Sequence, residues 1–202
     1  MKHFVLMGTG LDIAPAKLAL KRADAMRLWD KYAFRQKTEA NKETQCILMR
    51  YQNAPQLDLY HANLNDGSDD HAWRIGLECF DTLEYSLLPE FRPLVAWVMA
   101  RTGADRLGRV LLAKLPPDKR VYTHDDRGLY VDYYTRIVIP ITVHQPGNVA
   151  RIGDEFLEMN EGEAWTYAYE VEHEAVNNTP FDRVHLFVDV RLPSAPIMEL
   201  QA

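Results

Sequence analysis

Two cysteines in 202 residues, Cys46 and Cys79, are too few to build a zinc cluster and too few to staple a small fold with disulfides. Long hydrophobic runs are missing as well: the strongly apolar stretches reach about ten residues, half of what a membrane-spanning helix requires. The Met1–Gly10 segment is apolar but lacks the long hydrophobic region of a secretory signal. Reduced thiols, a cytoplasmic location and no membrane partner are therefore expected. Positive charge is short too, with 29 Asp plus Glu against 23 Lys plus Arg and a net charge of −6. That leaves no general basic surface for phosphates, so no nucleic-acid partner is expected. Internal repeats and low-complexity tracts are absent, and what remains, 47% hydrophobic and 26% charged residues, is the composition of a soluble globular domain.

The pattern changes character near Gly103. Before it, helical periods dominate. Asp12 can cap a helix with Pro15 in its first turn, and Ala14, Leu18, Ala25, Trp29 and Ala33 recur at helical steps. A second helix is expected from about Leu87 to Arg101, with Leu87, Phe91, Leu94, Val95 and Val98 on one face and Gly103 as its stop. Between them Gln45–Tyr51 reads as a short strand, and residues 53–70, rich in Asn, Asp, Gly and Pro, read as a long loop. After Gly103 come short β-rich runs: 109–115, 120–124, 135–143, 148–152, 164–169, 174–177 and 183–191. No helix-length segment separates them, which disfavours a parallel α/β fold and favours an antiparallel sandwich or jelly roll. The expectation is a single domain over 1–202, mainly β with N-terminal helices: a helix-rich part, 1–103, packs on a jelly-roll core, 104–193.

Alternation within two strands carries a further clue. Val184, Leu186, Val188 and Val190 share one face while Arg183, His185, Phe187 and Asp189 share the other, and Ile137, Ile139 and Ile141 likewise oppose Arg136, Val138 and Pro140. Either the arginine faces are solvated, or the aliphatic faces back the helices and the arginine faces line a polar pocket between two sheets.

The chemistry-bearing signal begins at Thr123-His124-Asp125-Asp126. At a strand end His124 and Asp126 point the same way, so an imidazole nitrogen and a carboxylate oxygen can reach one ion, while Asp125 faces away. A second histidine, His173, lies in Glu-His-Glu beside another strand. Two histidines and one carboxylate make the facial triad that holds non-haem Fe(II) and leaves positions open. Arg183, ten residues past His173, is placed to grip a dicarboxylate cosubstrate with two parallel hydrogen bonds. Among the other residues, His185 shares the face of Arg183 and reads either as pocket lining or as a core histidine. Residues 128–134, GLYVDYY, read as a substrate-covering loop or as a β-edge with aromatic packing, and Trp165 and Tyr167 as core. Neither cysteine has a partner motif for nucleophilic catalysis.

Segments 109–126 (RVLLAKLPPDKRVYTHDD), 135–141 (TRIVIPI), 162–178 (GEAWTYAYEVEHEAVNN) and 182–193 (DRVHLFVDVRLP) together resemble the aspartyl/asparaginyl β-hydroxylase family of Fe(II)- and 2-oxoglutarate-dependent dioxygenases. The resemblance implies a double-stranded β-helix, a cupin-like jelly roll backed by helices. It implies iron at His124, Asp126 and His173, 2-oxoglutarate at Arg183, and Arg136 near the cosubstrate and substrate carboxylates. It further implies O2 as co-reactant and hydroxylation of an unactivated C–H bond, in an amino-acid side chain either free or in a peptide or protein. Two departures stand out. Ala113 occupies the place of a serine that helps bind 2-oxoglutarate in well-known members, and Val138 that of a histidine two residues past the strand arginine. The alternatives are a cupin-like metal enzyme that does not use 2-oxoglutarate, for which Arg183 would be superfluous, and a non-catalytic jelly-roll interaction domain with a vestigial site.

Overall fold

A computed structural model describes residues 3–32, 35–53 and 77–193. In chain order the elements are β1 (Phe4–Gly8), α1 (Ala14–Ala25), β2 (Gln45–Tyr51), β3 (Phe80–Asp81), α2 (Leu83–Leu87), α3 (Arg92–Thr102), β4 (Arg106–Leu115), β5 (Lys119–His124), α4 (Leu129–Tyr133), β6 (Thr135–Thr142), β7 (Asn148–Ile152), β8 (Glu155–Leu157), β9 (Ala164–Tyr167), β10 (His173–Asn177) and β11 (Arg183–Arg191). All pairings are antiparallel. A major sheet of seven strands, ordered β1-β9-β6-β11-β4-β2-β3, faces a minor sheet of four, β5-β10-β7-β8. This mostly β arrangement with short helices is the jelly roll expected from the strand spacing.

The alternation in β6 and β11 decides which way the major sheet faces. Ile137, Ile139, Ile141, Leu186 and Val188 are almost wholly buried against Ala16, Ala19 and Ala23 of α1 and against Leu94, Val95 and Val98 of α3. Each such side chain contributes about 1.5–3 kcal/mol by leaving water. The opposite face, carrying Arg136, Arg183 and His185, looks toward the minor sheet. The aliphatic faces thus back the helices and the arginines turn inward, the second of the two readings open to the sequence.

The structure corrects several local expectations. In α1 the buried residues are Ala16, Ala19, Leu20 and Ala23, whereas Leu18 is 65% exposed. The helix presents its small residues because alanines let its backbone approach the isoleucine surface closely. Its run also stops early. Arg27 adopts φ 54°, and Trp29 sits on a separate 3-10 turn with its indole N–H donating to Asp24 Oδ1 at 2.8 Å. Ala33 lies outside the described residues, as do residues 54–70 of the expected loop. Leu87 belongs to α2, which Pro89 separates from α3 by removing a backbone donor. Gly103 does cap α3, at φ 63°. Strands β1, β3 and β8 were not read from the sequence. Segment 128–134 is a short helix rather than a β-edge: α4 tucks Tyr130 and Tyr134 against β4, where a Cβ on Gly108 would lie 2.8 Å from the Tyr130 hydroxyl and from the Tyr134 ring, and Tyr130 and Val131 also line the cavity between the sheets. Among the described residues no helix is long and apolar enough to cross a membrane.

Candidate active site

The minor sheet brings the two histidines together. His124 ends β5, His173 begins β10, and the two are direct partners in the antiparallel register. Their rings lie 4.3 Å apart, centroid to centroid. Asp126 follows two residues after the strand end, anchored by its backbone N–H donating to the Tyr169 carbonyl at 2.9 Å. One ligand atom from each of His124, Asp126 and His173 falls within 4.8 Å of the others.

Second contacts fix how these groups are presented. His124 Nδ1 lies 2.8 Å from the Tyr122 carbonyl and His173 Nδ1 2.9 Å from the Val171 carbonyl. A carbonyl only accepts, so each Nδ1 carries the proton and each Nε2 lone pair is left for a ligand. Burial, reinforced by the neighbouring His124, holds His173 below the usual histidine range despite the opposing pull of the Val171 carbonyl, which favours the neutral ring a metal needs. Burial pushes the Asp126 carboxyl up, but Arg136 and the two histidines outweigh it and hold it below the usual range. Asp126 Oδ2 accepts from Arg136 Nη1 at 2.9 Å, while Oδ1 faces His124 Nε2 at 3.7 Å. Arg136 in turn forks onto Asp189, at 2.9 and 3.2 Å. Two imidazole nitrogens and one carboxylate oxygen on one side of an open space make a donor set that fits Fe(II). Asp125, by contrast, turns away and pairs with the exposed Arg127 at 2.8 Å.

That open space is a cavity of about 280 Å³ between the sheets. Arg183 and His185 lie on its wall, 9% and 5% exposed. Burial lowers the Arg183 guanidinium to about 10, and no carboxylate among the described residues pairs with it. Burial, with Arg183 adding to it, takes the His185 ring well below the usual histidine range, so it is neutral. Its Nε2 is enclosed and has no hydrogen-bond partner among the described residues. His185 stands directly opposite Ala113 in the β4–β11 register.

Sequence reasoning missed part of this wall. Arg35, on a 3-10 turn (Arg35–Lys37), lines the cavity although nearly ninety positions separate it from His124 in the chain. Asp189, on the arginine face of β11, went unused, though the same alternation that placed Arg183 there could have paired it with Arg136. Tyr167, read as core, lines the cavity, whereas Trp165 is core. The thiols of Cys46 and Cys79 are buried and pushed up to about 11 and about 12 by that burial. Neither is a nucleophile at neutral pH.

Two solved structures show the same fold at low identity. One is an oxidoreductase of the 2OG-Fe(II) oxygenase family from Burkholderia pseudomallei, at 14% identity and TM-score 0.50, covering 85% of this chain and 77% of that one. The other is a viral collagen prolyl hydroxylase from Paramecium Bursaria Chlorella virus-1 in complex with 2OG, at 8% identity and TM-score 0.53, covering 94% and 95%. None of the curated proteins matches the chain. The family model for aspartyl/asparaginyl β-hydroxylase, however, matches residues 15–193. On that match the chain belongs to the aspartyl/asparaginyl β-hydroxylase family and is an enzyme of the oxygenase and hydroxylase class.

Proposed function

We propose that the chain is an Fe(II)- and 2-oxoglutarate-dependent dioxygenase that hydroxylates an unactivated C–H bond of an amino-acid side chain, free or within a peptide or protein. One observation carries this reading: the triad atoms and a buried guanidinium with no counter-ion among the described residues share one cavity. Bound Fe(II) with 2-oxoglutarate and O2 supplies the oxidising power for the hydroxylation. The chain's own groups do the rest. His124 and His173 offer their Nε2 atoms, the rings being held through Nδ1 by the carbonyls of Tyr122 and Val171, and Asp126 offers Oδ1 while Arg136 holds its other oxygen. Arg136 has its Nε and both Nη atoms engaged with Asp126 and Asp189. We therefore read it as orienting the acidic ligand rather than as a cosubstrate grip.

Arg183 is the grip for the far carboxylate of 2-oxoglutarate. Burying a guanidinium alone is costly, and a dicarboxylate supplies the missing partner in fork geometry. The serine hydroxyl absent at Ala113 has a substitute directly across the register: the neutral His185 ring lies on the cavity wall, and its Nε2, without a partner among the described residues, is the group we assign to donate the hydrogen bond in its place. A metal enzyme of this fold with no use for 2-oxoglutarate would have no need of an unmatched cation there.

The experiment is iron-dependent succinate formation from 2-oxoglutarate, with a panel of amino acids and peptides scored for a mass gain of one oxygen. Succinate that requires iron and vanishes in His173→Ala supports the reading. No succinate with iron, ascorbate and the full panel would refute it.

A further inference from the structure

Beside the main cavity lies a second one of about 10 Å³, and Arg183 and His185 of β11 line both. Asn148, the first residue of β7, is the one further polar side chain on its wall among the described residues. The small cavity is therefore a place where the major and minor sheets meet through polar groups. Its remaining side chains are apolar, Val143, Leu157 and Met159 among them. The volume is about what one water molecule needs.

Asn148 is buried, at 4% exposure, and its amide has one orientation. Nδ2 donates to the His144 carbonyl at 2.6 Å, and because a carbonyl only accepts, the amide cannot turn over. The backbone is fixed as well: the Asn148 N–H donates to Gln145 Oε1 at 3.2 Å, and its carbonyl accepts from Gln145 Nε2 at 2.9 Å. What remains is Oδ1, which is enclosed and has no hydrogen-bond partner among the described residues. No direct bond from Arg183 reaches it. A buried acceptor left without a donor is costly. His185 Nε2 is assigned above to the cosubstrate, so the guanidinium of Arg183 is the donor left on this wall, and the small cavity is the gap between the two.

We infer that the small cavity binds one ordered water, which accepts from the Arg183 guanidinium and donates to Asn148 Oδ1, and that Asn148 is thereby a positioning residue for Arg183. The chemistry of the wall selects water over other small occupants. An anion would suit Arg183 but would set its charge against the Asn148 oxygen, and a cation would suit the oxygen but repel Arg183. Water accepts on one side and donates on the other. The bridge brings no charge, so Arg183 still needs a counter-ion. What it supplies is orientation, since a guanidinium already tied to β7 loses less freedom when a dicarboxylate arrives. The role in cosubstrate binding rests on the dioxygenase reading, whereas the water site does not.

Three measurements on the full chain test this. A crystal structure of the metal-free protein, at a resolution that shows ordered water, should place one water within hydrogen-bond distance of both Asn148 Oδ1 and an Arg183 N–H. A dry cavity, or Arg183 bonded directly to Asn148, would overturn the inference. Thermal melting of the metal-free protein tests the link by a nearly isosteric change. Asn148→Asp puts a carboxylate at the end of the bridge, and should lower the melting temperature by about 5 °C or more beyond its effect in the wild type when it is made in Arg183→Met, where the carboxylate has no cation. Equal shifts in the two backgrounds would sever Asn148 from Arg183. Calorimetry with 2-oxoglutarate on protein loaded anaerobically with Fe(II) tests the positioning role. Asn148→Leu removes the acceptor and fills the cavity, and should weaken 2-oxoglutarate about 3- to 10-fold. Asn148→Asp should weaken it about 10- to 100-fold, because its carboxylate competes for Arg183. Iron affinity should stay within about threefold in both. A merely structural residue would suffer more from the bulky change than from the isosteric one, so the reverse order would overturn the positioning role. If the wild type binds no 2-oxoglutarate, the dioxygenase reading falls, and the crystal and melting measurements, made without metal or cosubstrate, decide the water bridge by themselves.

Discussion

The two faces of the major sheet are built from the same strands and solve opposite problems. On the helix side, Ile137, Ile139, Leu186 and Val188 meet alanines and valines of α1 and α3, and the chain completes this surface by itself. On the cavity side, among the described residues, Arg183 has no counter-ion and neither His185 Nε2 nor Arg35 Nε has a partner. One face is finished on folding, and the other is finished only by what enters it. The contrast teaches that alternation along a strand separates stability from function residue by residue: Val184 belongs to the fold and Arg183 next to it belongs to the ligand.

The sharpest way to break this comparison is to truncate one residue on each face. Arg183→Ala should weaken 2-oxoglutarate binding by about 2–5 kcal/mol, because a charge-assisted pair is lost and a partly desolvated carboxylate is left alone. Iron affinity should hardly change, and Arg183→Lys should recover only part of the loss. Calorimetry on the metal-loaded protein checks both. Leu186→Ala, three positions along and on the other face, should lower unfolding stability by about 2–5 kcal/mol in denaturant while leaving 2-oxoglutarate affinity in the surviving folded protein unchanged. Equal effects of the two changes on stability would erase the distinction between the faces.

A finer test asks whether the cavity face sacrifices stability for binding. Arg183→Met replaces a buried, unpaired cation with an apolar chain of similar length, and should raise the stability of the unloaded protein by about 1–4 kcal/mol as it abolishes cosubstrate binding. Adding 2-oxoglutarate should raise the melting temperature of the wild type and not that of the variant. The smallest expected effect belongs to His185. His185→Ala should weaken 2-oxoglutarate binding by about 0.5–2 kcal/mol, and Ala113→Ser in that background should restore part of it by supplying a hydroxyl at the facing position. A restoration as large in the wild-type background would show that His185 does not fill the serine's role.

Much of this contrast is legible in the chain because strand alternation has a strict period. The boundaries of β2, β7 and β11, the split of β11 into an aliphatic and an arginine face, and the shared side of His124 and Asp126 follow from local pattern, whereas the pattern leaves open which face of β11 turns inward. The unread parts depend on contacts that no local pattern encodes. Arg35 sits in a short polar segment that resembles a solvated turn, and only the packing of that turn over the sheet makes it part of the cavity. Strands β1 and β8 are short and pair at the sheet edges, where neither length nor alternation is distinctive. Leu18 was assigned to the buried face because size and spacing favoured it, yet close packing on the isoleucines favoured the alanines.

The account's central claim is that the cavity face is completed by Fe(II) and 2-oxoglutarate together. The most direct measurement is an anaerobic titration of the iron-loaded protein with 2-oxoglutarate, following the metal-to-ligand charge-transfer band in the visible. The account predicts a band that grows to saturation in the wild type, needs far more 2-oxoglutarate in Arg183→Ala, and is absent in His173→Ala. Iron bound tightly by the wild type with no band at any 2-oxoglutarate concentration would contradict it.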